Sequence, residues 1–500
     1  MFVAPDPGRV RLRASLRAVL GVGLAVAVAE CAGMSLTASI TAGLAALLAL
    51  FNVGDATVRG QAVTTALLPV AGFPVLALAT TLQSVPPLRD AAWLAVVFCG
   101  VYARRWGPRG HALGVFAFMM FFCTQFLHAV PAQLPELYTA VALALGATSA
   151  VRFGLWCIER RTPLPAVPAL LTGRGLARAT TRQAFQATVA CGLAMAVGQL
   201  LSQERGYWAV GTVWWIFVNT ASRGETLVRG FRRVLGTVTG ILAGLLIAVP
   251  LHGAPAPTAA LVAVCVFGIV YTAAPSYSWM IFFVTIMAGL LYGLLGVLHP
   301  GLLLLRFEET IVGAIAAAVG VGLVLPVTTH FATNAWIQRA LHCVHGCTSE
   351  AARRLAGDES ADPAPRAAEL ELLLGRVRMS VAPLVHPLSP LRARKARARQ
   401  VLTLLDDCAR EIRGLASVAA DPDASHDARL AAACWRVEAA VEALVPRGVR
   451  PETRPESTAQ LPHHHPGAEA ALSHLHGLER ALTDLAAPLR TSPRSPLIPA

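Results

Sequence analysis

The chain contains a series of apolar blocks, most of them long enough to cross a bilayer, that are separated by short polar segments. A helix of about 20 apolar residues crosses a bilayer and satisfies its own backbone hydrogen bonds there. Hydrophobic residues make up 55% of the 500 residues and charged residues only 14%, a balance that is typical of membrane proteins. We therefore predict an all-α, polytopic membrane protein.

Twelve blocks are candidate transmembrane helices. They are residues 16–32, 34–51, 61–82, 91–103, 111–130 and 137–157 in the first half, and 184–202, 207–220, 234–251, 257–273, 277–298 and 301–327 in the second. Connecting segments that are rich in arginine alternate with segments that are not, and the positive-inside rule then places both termini in the cytoplasm. The loops predicted to lie outside contain only Arg89 and Arg205, each next to an acidic residue.

The two halves of the apolar region resemble each other residue by residue. Gly23-Leu24-Ala25 of the first half recurs as Gly192-Leu193-Ala194 in the second. The acid, arginine and glycine of residues 55–60 recur in residues 225–230. The distance along the chain between these two segments differs by one residue from the distance between the two Gly-Leu-Ala segments. A register shared over so long a stretch indicates an internal duplication. We predict two six-helix units in the same orientation, the parallel repeat of some transporter folds.

After Val327 the apolar blocks give way to amphipathic segments at residues 331–353, 389–418, 427–444 and 469–485. Breaks that contain proline, such as Asp362-Pro363-Ala364-Pro365, separate them. In one of the segments Leu430, Cys434, Val437 and Val441 recur at steps of three and four, which predicts a helix with one apolar face. We predict a water-soluble helical domain with disordered linkers on the cytoplasmic side. The predicted domains are a first six-helix unit (1–158), a cytoplasmic linker (159–183), a second six-helix unit (184–328) and the C-terminal helical domain (329–500).

The formal net charge of +13 would suggest nucleic-acid binding in a soluble protein. Here the arginines flank apolar blocks, so the predicted partner is the lipid bilayer and not a nucleic acid. The sequence contains no Gly-Lys-Ser/Thr phosphate-binding loop and no plausible nucleophile with its base. His342, Cys343, His345 and Cys347 share one predicted helix and cannot surround a tetrahedral zinc. We expect neither an enzyme nor a cofactor nor a metal site.

An arginine-rich segment, predicted to be a cytoplasmic loop, precedes a glycine-rich helix in the second half. Its ionisable residues are Arg223, Glu225, Arg229, Arg232 and Arg233. They can anchor the helix at lipid phosphates, or they can draw an organic anion toward the inner mouth of a pathway. Gly236, Gly240 and Gly244 follow on one helix face, where they allow a neighbouring helix to approach closely.

The run from Tyr207-Trp208-Ala209 through the arginine-rich segment to Gly240 resembles the fusaric acid resistance and aromatic acid exporter superfamily. The matching residues are Tyr207, Trp208, Arg229, Arg233, Gly236, Thr237 and Gly240, and in the last span Arg306, Glu309, Thr310 and Gly313. The resemblance covers residues 180–330, and the first half only through the internal repeat. It implies a transporter of the bacterial plasma membrane that exports aromatic or other organic acids, and it makes Gly313 a further helix-packing position.

Ionisable side chains within a span are costly and are therefore candidates for function. Arg306 and Glu309 lie three residues apart on one face of the last span, where they can neutralise each other as a structural pair. Alternatively they form a gate or a proton-linked site, with Glu308 on another face turned toward the pathway. Tyr207 and Trp208 begin a span, either within an interfacial aromatic belt or as a surface for an aromatic ligand.

These observations favour secondary-active efflux of an organic anion, aromatic acids included, along a pathway between the two six-helix units. A passive anion channel and a non-transporting scaffold with a partner-binding tail stay open as alternatives, and so does assembly into a homo-oligomer. The dense arginine segment and the charges within the last span occur only in the second half. We therefore expect function to be concentrated there.

Overall fold

The computed structural model describes residues 9–155, 175–202, 206–218, 220, 222–251, 253–325, 329–355, 358, 360–385, 392–419, 428–444 and 466–490. These residues form helices and their connections, and no strand occurs among them. They divide into two compact units, a membrane unit with twelve helices and a C-terminal unit with five among the described residues. Each unit is described by itself.

The membrane unit has six helices in each half. Those of the first half are α1 (Val10–Cys31), α2 (Leu36–Asn52), α3 (Val58–Thr81), α4 (Pro86–Ala103), α5 (Gly107–Leu127) and α6 (Leu134–Gly154). Those of the second half are α7 (Ala179–Leu201), α8 (Tyr207–Phe217), α9 (Arg223–Leu251), α10 (Pro255–Ala273), α11 (Tyr277–Leu294) and α12 (Pro300–Leu323). The prediction of an all-α, multi-pass membrane protein is confirmed.

Eight helical stretches of the described chain are long and apolar enough to cross a membrane, by length and composition alone. One of them runs through both α4 and α5, over residues 86–127. The helices outside this set are α2 with 17 residues, α8 with 11 residues, and α12, which contains Arg306, Glu308 and Glu309. The multi-pass assignment therefore rests on the other helices of the membrane unit.

The packing of the helices repeats the duplication seen in the sequence. In the first half α1 packs on α2 and α6, α2 on α6, and both α3 and α4 on α5. In the second half α7 packs on α8 and α12, α8 on α12, and both α9 and α10 on α11. The two halves, which we call the first and second repeats, meet along α1 with α10 and along α4 with α7. These two contacts are equivalent when α1–α6 are matched to α7–α12, so we call them the two seams.

Some helix ends differ from the predicted ones. The arginine-rich segment from Arg223 to Arg233 is the beginning of α9 and not a loop, because arginine is a good helix former and Glu225 favours a helical first turn. Helix α7 begins at Ala179, inside the predicted linker 159–183. Residues 159–174 of that linker lie outside the described chain. Helix α8 ends at Phe217, three residues before the predicted end of its span.

The C-terminal unit comprises α13 (Thr329–Leu355), α14 (Ala364–Val385), α15 (Arg392–Ala419), α16 (Ala428–Glu442) and α17 (Pro466–Arg490). Its helices pack around an apolar core of their own, in which α13 contacts α14, α15 and α16, while α17 packs on α15 and α16. The stripe from Leu430 to Val441 is buried there. Helix α14 has no predicted counterpart, although Leu370, Leu373 and Val377 are buried at helical spacing.

Candidate functional site

A cavity of about 100 Å³ lies between the two repeats of the membrane unit. Helices α2 and α5 of the first repeat contribute side chains such as Leu47, Phe51 and Phe122 to its wall. Helices α8 to α11 of the second repeat contribute the rest, including Trp215. Among the described residues that line this cavity, Arg233 alone is charged. We call it the apolar cavity.

The two shortest helices of the membrane unit, α2 and α8, both line the apolar cavity. They hold corresponding positions in the two repeats, and in duplicated transporters short helices at matching positions mark the binding site. With a rise of about 1.5 Å per residue, α8 spans roughly half of the ~30 Å hydrocarbon core. Val218, Thr220 and Ser222, which follow it, are non-helical but buried, and the Phe217 carbonyl accepts a hydrogen bond of 3.1 Å from Arg104. Such backbone is tolerated in a membrane where protein surrounds it.

Arg233 reaches the apolar cavity from α9 and is only 4% exposed. Its Nη1 donates a hydrogen bond of 3.4 Å to the Tyr277 hydroxyl, which donates one of 3.1 Å to the Trp215 carbonyl. Arg229 lies one helical turn earlier, with Cζ 4.0 Å from the centroid of the Tyr277 ring. The Arg233 Nε has no hydrogen-bond partner among the described residues. Tyr277 thus holds both guanidinium groups on the face of α9 that leads to the cavity.

Five aromatic side chains from α5, α8 and α11 form an aromatic cluster beside the apolar cavity. They are Phe122, Phe126, Tyr207, Trp208 and Tyr292. The Trp208 Nε1 donates a hydrogen bond to the Tyr292 hydroxyl, and the hydroxyls of Tyr207 and Tyr292 lie 3.3 Å apart. Trp208 is only 9% exposed, so it packs within the bundle and does not lie on its outer surface.

The charged residues of α12 fall on two faces. Arg306 and Glu309 are 4% and 1% exposed, whereas Glu308 is exposed. The Cζ of Arg306 lies 3.8 Å from the centroid of the Trp208 ring, which ties Arg306 to the aromatic cluster. Glu308 is absent from the described lining of the apolar cavity. The structure therefore brings Arg306 to the candidate site and leaves Glu308 outside it.

The buried charges of the membrane unit do not balance. Its charged side chains in the buried class, among the described residues, are Arg152, Arg233, Arg306 and Glu309. Arg152 lies in the first repeat, where its guanidinium donates to the carbonyls of Ala49 and Val53 at 2.8 and 2.9 Å. The described part of the second repeat thus buries two cations and one anion. Because an unbalanced charge is costly in a membrane, this arrangement favours an anionic ligand.

Residues 193–320 match the family model described as "Fusaric acid resistance protein-like". The second repeat is similar to the fusaric acid resistance proteins. The resemblance predicted from the motifs of that half is thereby confirmed. The matched region of this fusaric acid resistance-like repeat contains Trp208, Arg233 and Arg306. No curated protein and no solved structure matches the chain. The family match and the apolar helices together support a membrane transporter.

Two glycines of the fusaric acid resistance-like repeat bring α9 and α11 together. A Cβ at Gly236 would lie 2.9 Å from the Cβ of Ile281, and a Cβ at Gly240 would lie 2.7 Å from the Cβ of Thr285. The next glycine of the ridge, Gly244, has more room, because its nearest atom would be 3.9 Å away.

A similar close approach joins α12 to α8, the short helix of the site. A Cβ at Gly313 would lie 2.6 Å from the Ala209 carbonyl oxygen. The glycines thus draw α11 and α12 against the two helices that carry Arg233 and Trp208.

The remaining sequence-derived candidates lie at the start of α9. Arg223 is exposed and Glu225 is half-buried, and neither belongs to the described lining of the apolar cavity.

Conversely, the sequence did not indicate α2 and α5, or the tyrosines Tyr277 and Tyr292. A signal for α2 existed in the duplication, because any role assigned to α8 points to the corresponding helix of the first repeat.

Proposed function

We propose that this protein is a secondary-active exporter of organic anions, aromatic carboxylates among them, in the plasma membrane, and not an enzyme. The observation that carries the proposal is the apolar cavity, whose described lining is apolar and aromatic apart from Arg233. The excess of buried positive charge in the described part of the second repeat supports it. So does the family match over residues 193–320.

The chemistry of the cavity suits an aromatic carboxylate. An aromatic ring gains free energy when it leaves water for an apolar wall, and Phe122 and Trp215 offer ring faces and edges for offset packing. A carboxylate cannot enter such a cavity without a charged partner. The planar guanidinium of Arg233 can bind it through two parallel hydrogen bonds, a geometry that lysine lacks.

The remaining residues define a route for the anion. With both termini in the cytoplasm, α9 begins at the inner surface, where Arg223 and Arg229 attract the anion. Arg229 and Arg233 then lie on successive turns of the same face, both held by Tyr277. The route leaves the apolar cavity past the aromatic cluster and Arg306.

The proposal is tested with the purified full-length chain in proteoliposomes, with radiolabelled benzoate as the probe. Arg233→Gln should lower the initial rate of benzoate transport by about tenfold or more, because the loss of a charged hydrogen-bond partner costs about 1.5 to 3 kcal/mol. Arg232→Gln is the matched control, since Arg232 is the exposed neighbour on the same helix. Equal rates in the two variants would remove Arg233 from the mechanism.

The same preparation separates a carrier from a channel. A secondary-active exporter coupled to protons changes the accumulation of benzoate under an imposed pH difference relative to protein-free liposomes, into which benzoic acid diffuses unaided. Flux that follows the membrane potential alone and ignores the pH difference would replace the exporter with a passive anion channel.

A further inference from the structure

A second cavity of about 290 Å³ lies in the membrane unit and differs in chemistry from the first. Its lining is largely polar and includes Gln83, Arg89, Asp90, Gln125, Gln199 and Tyr207. These residues come from α4, α5, α7 and α8 and from the turn before α4, so this polar cavity lies at the α4–α7 seam between the repeats. It lies at the end of the bundle that holds the α3–α4 and α7–α8 connections, which the positive-inside rule places outside.

An ion pair and an amide contact occupy the wall of the polar cavity. The Asp90 Oδ1 accepts hydrogen bonds from the Arg89 Nε at 3.1 Å and from its Nη2 at 3.0 Å. The Asp90 Oδ2 accepts one of 2.6 Å from the Gln199 Nε2, which belongs to the other repeat. The two charged side chains are 17% and 20% exposed, so both are largely withdrawn from solvent. Asp90 therefore neutralises Arg89.

Tyr207 connects the polar cavity to the apolar one. It belongs to the lining of the polar cavity. Its ring also lies 5.6 Å from the Phe122 ring and 6.5 Å from the Phe126 ring, centroid to centroid, and both of these phenylalanines line the apolar cavity. A ligand that passes Tyr207 from the apolar cavity therefore enters the polar cavity, whose lining includes Arg89.

We propose that the polar cavity is a second anion-binding site, which receives the carboxylate group of the exported compound on Arg89. The inference rests on the proposed function. Asp90 competes with the ligand there, since its carboxylate accepts hydrogen bonds from the same Arg89 guanidinium donors that the ligand carboxylate needs. A site on an exit route must bind weakly enough for the ligand to leave, and a largely buried arginine without a competing carboxylate would hold an anion tightly.

The test is equilibrium binding of benzoate to the full-length protein in phosphatidylcholine nanodiscs. All variants carry Arg233→Gln, so that the remaining binding reports on the polar cavity. Asp90→Asn should tighten benzoate binding by about tenfold, because the carboxylate no longer competes for Arg89. The substitution is nearly isosteric, and the Asn oxygen can still accept the hydrogen bond from Gln199.

Two comparisons make the test specific. When Arg89→Gln is added, the tightening caused by Asp90→Asn should disappear, because the cation for which Asp90 competes is gone. Asp55→Asn is the matched control, since the Asp55 carboxylate lies 3.9 Å from the Arg109 guanidinium at the other end of the first repeat. It should leave benzoate affinity unchanged.

The outcomes distinguish this site from the apolar cavity. Unchanged affinity in Asp90→Asn, or tightening that persists without Arg89, would overturn the second site. Failure of the proposed function has a different signature, in which Arg233→Gln alone leaves benzoate binding and transport unaltered. A positive result for Asp90 and Arg89 should also appear in transport, where Asp90→Asn lowers the maximal rate and the benzoate concentration at half-maximal rate together.

Discussion

The guanidinium carbon of Arg306 lies 3.8 Å from the centroid of the Trp208 ring, and both side chains are buried. The contact joins α12 to α8, the short central helix. A desolvated cation over an indole face contributes about 2 kcal/mol.

A double-mutant cycle of Arg306→Gln and Trp208→Leu should therefore give a coupling energy of about 1 to 2 kcal/mol. The measurement is the free energy of unfolding in an SDS titration from mixed micelles. Additive effects of the two substitutions would show that the contact contributes nothing to stability.

The glycine ridge of α9 allows a prediction with an internal control. Gly236→Ala should destabilise the membrane unit by about 1 to 3 kcal/mol, because the added methyl group would collide with Ile281 and the Ser278 carbonyl of α11. Gly244→Ala lies two turns further along the same helix, where the nearest atom is 3.9 Å away, and should be neutral or slightly stabilising. Unfolding in the same SDS titration compares them. A loss of stability of equal size in both variants contradicts the assigned packing.

Arg152 stabilises the C-terminal end of α2. Its guanidinium donates to the Ala49 and Val53 carbonyls, so Arg152→Gln removes two buried hydrogen bonds and should cost about 2 to 4 kcal/mol. Arg59→Gln is the control, because Arg59 is exposed in the same repeat. The apparent melting temperature of the detergent-solubilised chain should fall in the first variant and not in the second.

The C-terminal unit offers a prediction about thiol chemistry. Burial raises the pKa of the Cys343 thiol from its ordinary value of 9.0 to about 11, because the thiolate is poorly solvated there. At pH 9 the folded protein should therefore contain roughly a hundredth of Cys343 as thiolate, against about half in the unfolded chain.

Alkylation of Cys343 by iodoacetamide, quantified by mass spectrometry, should be slower in the folded chain by at least the resulting factor of about fifty. Because the folded pKa is the higher one, the stabilisation from the neutral thiol is present below pH 9 and is lost as the pH rises toward 11. Equal alkylation rates with and without denaturant would contradict the burial of this thiol.

The helices could be predicted where a stretch of the sequence itself indicates them. Apolar blocks of bilayer-spanning length and the register shared by residues 55–60 and 225–230 were sufficient for the six-plus-six arrangement. The start of α9 at Arg223 was not predicted, because the charged first turns of this helix precede its apolar block and have the low hydropathy that is typical of a loop. Helix α14 is not apparent in the sequence because Pro363 and Pro365 indicate a break, whereas proline is tolerated before and in the first turn of a helix.

The candidate site could be predicted only in part. Arg233, Trp208 and Arg306 are visible in sequence because charges and tryptophans are uncommon within spans. Leu47 and Phe122 are not, since every span contains leucine and phenylalanine or similar apolar residues, and only tertiary packing decides which of them face the cavity. The expectation that function is concentrated in the second half did not include α2 and α5, which form part of the cavity wall.

The duplication has a consequence for how a ligand can be oriented. A cavity built between two identical repeats would accept a flat molecule in two equivalent poses, related by the internal axis. Arg233 removes this degeneracy, because Val63 stands at the matching position of the first repeat when residues 55–60 are aligned with residues 225–230. One charged group on one side gives the cavity a polarity, so that a molecule with a ring and a carboxylate has a single preferred orientation within an otherwise symmetric frame.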